Sequence, residues 1–160
     1  MQISILAIGR IKSGPDLSLF ERYMDRTSKS GKSLHLSGPD LREFNESRSA
    51  STNLRKQEEA TQLLSAVLPN SYLMALDENG RDVSSVQFAE IIRNLRDDGI
   101  RHLAIAIGGP DGHGQDLLKK ANKTIRFGAL TWPHQLVRIL LAEQIYRATT
   151  ILSGHPYHRP

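Results

Sequence analysis

The chain of 160 residues contains no cysteine. That removes disulfide staples, thiolate nucleophiles and cysteine-held metals from consideration. No apolar run approaches the ~20 residues a membrane-spanning helix needs. The opening stretch Met1–Gly9 is too short for a signal peptide and lacks its basic flank, which points to a soluble, cytoplasmic protein. No pair of histidines sits one helical turn apart beside a carboxylate ligand, so no metal is expected. The glycine-rich run Gly108–Gly114 lacks the Lys-Ser/Thr that completes a phosphate loop, and the first strand carries no dinucleotide fingerprint. A serine nucleophile elbow is missing too. Neither sign of charge dominates: the net charge is +4, compatible with a polyanionic partner but not diagnostic of one.

What is present is an alternation of buried strands and amphipathic helices. Ile3–Ile8, Tyr72–Leu76 and His102–Ile107 are nearly continuous apolar runs, as expected of strands covered on both faces. Between them, Leu17, Phe20 and Met24 mark one helix, with Asp16 as its expected cap. Leu54, Thr61, Leu64 and Leu68 mark a second, with Glu58 and Glu59 facing outward. Phe88, Ile91, Ile92 and Leu95 mark a third, capped by Ser84 or Ser85. A short helix is expected over residues 115–122. Leu34–Leu36 reads as a short strand stopped at Gly38-Pro39, and the polar, serine-rich residues 40–52 as a mobile surface loop. The pattern predicts one α/β domain over 1–160, with a mostly parallel sheet covered by helices on both faces.

The richest stretch is Thr131–Ala148. Pro133 suits the first position of a helix. Two apolar rows follow, Leu136/Ile139/Leu140 and Val137/Leu141/Ile145, so more than one side of this helix must be covered. It also carries His134, Arg138, Glu143, Gln144, Tyr146 and Arg147. The tail from Ser153 onward has no period, yet Tyr157, His158 and Arg159 are the side chains that stacking on a base and holding a phosphate would use.

Four segments carry a resemblance: Ile107–Gly112, Leu130–Arg138, Ala142–Ala148 and His155–Arg159, with support from Ile5–Arg10 and Leu76–Gly80. Together they resemble the ribosomal large-subunit methyltransferase H family, over the whole chain except residues 38–53. The resemblance implies a SPOUT-type fold with a C-terminal trefoil knot, a homodimer, and S-adenosyl-L-methionine as methyl donor. It implies methylation of N3 of a pseudouridine in helix 69 of 23S rRNA, within the assembled ribosome. On that likeness, Leu76, Gly108, Phe127, Gly128, Ala129, Leu130, Thr131 and Trp132 form the cofactor pocket. His158, Glu143 and Arg147 are the catalytic candidates, and His134, Tyr157 and Arg159 would meet the substrate. His158, Glu143 and His134 all remain open as the base for the imide proton. Two further readings compete: a noncatalytic ribosome-binding or assembly factor on the same fold, and a nucleotide-binding regulator unrelated to RNA.

Overall fold

A computed structural model describes residues 1–159. Five parallel strands form one sheet in the order β2-β1-β4-β3-β5, comprising β1 (Gln2–Ile8), β2 (Ser37–Phe44), β3 (Tyr72–Asp82), β4 (His102–Ile107) and β5 (Lys123–Arg126). The alternation of side chains along the strands divides the core in two. Ile3, Ile5, Met74, Leu103 and Ile105 face α1 (Pro15–Ser30), α3 (Ser85–Asp97) and α5 (His134–Ser153). Leu6, Ile8, Leu73, Ala104 and Ala106 face α2 (Thr52–Ser65) and α4 (Gln115–Lys120). The α/β sheet covered on both faces is therefore as expected. From the edge strand β5 the chain returns across the sheet, and α5 packs on α1 and α3, a path that agrees with the knotted topology the resemblance implies.

Several local expectations need correction. Residues 37–44 are an edge strand, running through the cis Gly38-Pro39 bond, while Lys32–Leu34 is a single 3-10 turn. Polar residues hid this strand, because an edge strand keeps much of its surface in water and tolerates proline. The loop that follows is fastened: Glu59 accepts the Ser47 N–H at 3.0 Å, and Glu58 accepts hydrogen bonds from the Ser47 and Ser49 hydroxyls. On α2 the inward residues are Glu59, Ala60 and Leu63, and Leu54 and Leu68 are exposed. The buried face is thus rotated from the expected one, and Glu59 points in rather than out. In α1, Pro15 occupies the first turn after Gly14, so Asp16 lies inside the helix and acts on its dipole instead of capping it. Ser84 does cap α3, in a reciprocal box with Gln87. Pro133 stands one place before the first residue of α5. Leu141 and Ile145 of α5 are wholly buried within the chain, because α1 and α3 close over that row; the exposed large apolar residue of α5 is Leu136.

Candidate active site

The strand register brings three loops to one place. Leu76 pairs with Ile107 of β4 on one side and with Ile125 of β5 on the other. Gly108 follows Ile107 directly and Phe127 lies two residues beyond Ile125. Gly108 and the run 127–132 leave the ends of β4 and β5, the edge of a parallel sheet at which ligands bind. Leu76, expected to end its strand, is instead the last residue before residues 77–80 bulge out of the ladder, which resumes with Arg81 opposite Ile125. Beyond the ends of β1 and β2 the space is filled by α5, whose Arg138 donates to the Ile8 carbonyl and to Glu43. A β-carbon placed on Gly9 would lie 3.3 Å from Arg138 Nη2 and 3.7 Å from His134 Nε2.

The loops are tightly folded. A β-carbon on Gly108 would come within 3.1 Å of the Gly112 carbonyl carbon. Gly128 holds φ at +91°, a conformation that other residues rarely adopt. Trp132 Nε1 donates to the Phe127 carbonyl at 3.0 Å and closes the turn between them. Buried His113 stands 3.0 Å from the Leu76 carbonyl through Nε2. A carbonyl only accepts, so the neutral ring carries its proton on Nε2, and burial holds the imidazole pKa below its ordinary value.

Two cavities of similar size flank these loops. One, of about 380 Å³, is walled by Phe88, Phe127, Gly128, Trp132, Leu140 and Gln144. Arg126 closes its rim with two hydrogen bonds to Asp82, at 2.9 and 2.7 Å. The other, of about 390 Å³, lies on the α2 side among Ser47, Arg48, Arg55, Glu59 and Asp111. Its walls are charged and largely paired with one another. Small-molecule sites are mostly apolar with a few placed polar groups, which favours the first. Leu130 and Trp132, 73% and 40% exposed, project beside it.

The tail folds back on α5 and assembles the expected catalytic residues. Glu143 Oε1 accepts from Arg147 Nε at 2.9 Å, from Arg147 Nη2 at 2.5 Å and from the Tyr157 hydroxyl at 3.1 Å. Its other oxygen accepts from Gln144 at 2.7 Å, and Gln144 lines the aromatic cavity. His158 Nδ1 lies 3.5 Å from Arg147 Nη1. The Tyr157 ring packs 4.8 Å from Tyr146 and beneath the Arg147 guanidinium. Burial, then Tyr23 and Glu143, push the Tyr157 hydroxyl well above its ordinary pKa. Hydrogen bonding to Glu143 raises that of Arg147. Arg159 is exposed, and Pro160 lies outside the described residues.

His134 does not join this group. It sits nine residues earlier on α5, roughly 13 Å along the axis at 1.5 Å per residue. Gln144, named in the sequence among the functional side chains of this helix, lines the aromatic cavity, whereas buried His113 beside Leu76 and buried Glu59 beside the glycine loop were not expected. A histidine inside a glycine loop and a glutamate four residues before a buried leucine are the signals, but such residues are more often at least partly solvated. Among the described residues no cluster of three potential metal ligands occurs, and no helix is long and apolar enough to cross a membrane.

Comparison with known proteins gives the family. The model described as "Predicted SPOUT methyltransferase" matches residues 1–158. A protein of Brucella anthropi named "Ribosomal RNA large subunit methyltransferase H" is 50% identical over 159 residues, covering 99% of both chains. Proteins of the same name from Rhizobium etli and Brucella abortus are 49% and 48% identical, again over 99% of each chain. With the matched model running through the sheet, the three loops and the tail, the chain belongs to the ribosomal RNA large subunit methyltransferase H family of SPOUT methyltransferases.

Proposed function

We propose that residues 1–160 form one S-adenosyl-L-methionine-dependent methyltransferase domain that modifies large-subunit ribosomal RNA. Its target is N3 of a pseudouridine in helix 69 of 23S rRNA, reached in the assembled ribosome by a homodimer. The observation that carries this reading is the double pairing of Leu76 with Ile107 and Ile125, which sets the β3 bulge at 77–80 beside the loops that leave β4 and β5. Part of the predicted pocket fits the cofactor: Gly128 permits a tight reversal, and Phe127, Gly128 and Trp132 wall a cavity of about 380 Å³, which Leu76 and Gly108 do not line. The relatives' shared name supplies the RNA substrate.

When bound, the cofactor supplies a methyl group on a sulfonium, open to in-line displacement. The protein's part is to orient the substrate and manage one proton. Leu76 and Leu130 would enclose the adenine, and backbone groups of the 127–132 loop would supply hydrogen bonds to it. Glu143 is engaged by Arg147, Tyr157 and Gln144, so its role is to hold them rather than to take the proton. Arg147 can only donate, so the nitrogen of His158 that faces it is the acceptor and Nε2 carries the hydrogen. That N–H and the Arg147 charge stabilise the negative charge that develops on the imide oxygens as the proton leaves to water. Exposed Arg159 would hold a phosphate, while Tyr157, expected to stack on the base, is instead engaged by Tyr146, Arg147 and Glu143 and would have to leave them to do so.

The deciding experiment is methyl incorporation into 70S ribosomes and isolated subunits that lack the modification, followed by mapping of the nucleotide. Methyl transfer at another position rejects the target. Cofactor binding without transfer would leave an assembly factor on the same fold.

A further inference from the structure

The glycine loop 108–114 is gripped from the face of the sheet opposite α5. Arg55, on the first turn of α2, donates through Nε to Asp111 at 2.6 Å. The same guanidinium reaches the Ser49 and Ala50 carbonyls at 3.0 and 3.3 Å and the Thr52 hydroxyl at 2.9 Å. One turn further along α2, Glu59 lies so close to Gly109 that a β-carbon there would stand 2.8 Å from its Oε2. Gly114 is similarly pressed on the Lys56 carbonyl, with 2.5 Å left for a β-carbon. Two of these three contacts are shape, made possible by missing side chains. The Arg55–Asp111 pair is the one directed, breakable bond from α2 to the loop.

Both partners are about one-quarter exposed. A pair so wet contributes little to stability. Yet it fixes a residue three places from Gly108, whose backbone must stand at one spacing from Leu76. We propose that Arg55, through Asp111, is a positioning residue for the cofactor: it latches the glycine loop in the geometry that binds S-adenosyl-L-methionine. The inference rests on the cofactor reading above and extends the site to α2, which contributes no wall to the aromatic cavity.

The test is a double-mutant cycle read by calorimetric titration of S-adenosyl-L-methionine into the full-length protein, with melting temperature measured alongside. The variants are Arg55→Met, Asp111→Asn and the two combined. We expect each single variant to bind about fivefold more weakly, the size of a modest coupling between sites. The double variant should be no weaker than either single one, and all should melt close to wild type. In the methylation assay the cofactor KM should rise with kcat at saturation unchanged. Wild-type protein that fails to bind the cofactor would reject the underlying reading. Wild type that binds, with variants that bind equally well, would overturn the latch alone. Losses that add in the double variant, or that track a fall in melting temperature, overturn it as well.

Discussion

Arg138 exposes none of its side chain, and its guanidinium donates to Glu43 Oε1 and to the Ile8 carbonyl, each at 2.6 Å. It thereby ties α5 to the ends of β1 and β2. Its Nε has no partner, and burial lowers its pKa. Removing Glu43 strands a charge in the interior, at a cost of about 3–5 kcal/mol. Arg138→Met removes the charge itself, and the partly exposed Glu43 can return to water. Urea unfolding should therefore show Glu43→Ala to be the more damaging of the two, and the reverse order would contradict this account.

Gly108→Val adds bulk where a β-carbon already stands 3.1 Å from the Gly112 backbone. The loop must shift, while the sheet beneath it does not depend on that position. We expect calorimetry to show no S-adenosyl-L-methionine binding and sedimentation to show an unchanged assembly. Retained affinity would remove this loop from the pocket.

Glu59 is buried, and its Oε2 has no partner. Burial lifts its folded pKa above the ordinary 4.5. The folded state then holds this proton more tightly than the unfolded state, so stability falls as pH rises from 4.5 towards the folded value. Glu59→Gln has no such titration. Between about pH 4 and pH 7, the unfolding free energy of the variant should gain on that of wild type. A difference that stays flat across this range would mean the carboxyl keeps its ordinary pKa.

Leu130, Trp132 and Leu136 are uncovered in the single chain, around the entry to α5, and Trp132 walls the aromatic cavity. A second copy that covers them brings two pockets together. Sedimentation at micromolar concentration should give twice 17.9 kDa, and a monomer would sink the homodimer. Deleting residues 155–160 should leave that mass and the fold intact while removing most of the methylation rate. Mixed dimers of a tail-less chain and a full-length Gly108→Val chain should regain activity, with the intact tail serving its partner's pocket. Mixed dimers that stay inactive assign each tail to its own chain.

The buried strands were legible because parallel strands covered on both faces are written as unbroken apolar runs, and Ile3–Ile8 and His102–Ile107 are such runs. β2 was not legible, because an edge strand with Asp40, Arg42 and Glu43 carries no such signature. The loops at 76, 108 and 127–132 could be named from motifs, but their convergence is a matter of strand order, which periodicity does not encode. His134 and Glu143 looked equivalent on one helix. Only tertiary contacts separate them, sending one to the end of β1 and the other to the tail.

The position of α5 bears on how the chain is made. Its buried face fills the space between α1 and α3, and it leaves the ribosome after both of them. Until then, Phe20 on one helix and Phe88 on the other border a cleft with nothing in it. Contacts this distant in sequence form slowly, and a nascent chain with an open apolar cleft is prone to aggregate. Protein synthesis arrested after β5 should yield a product that binds chaperones, and emergence of α5 should set the time at which that binding is lost.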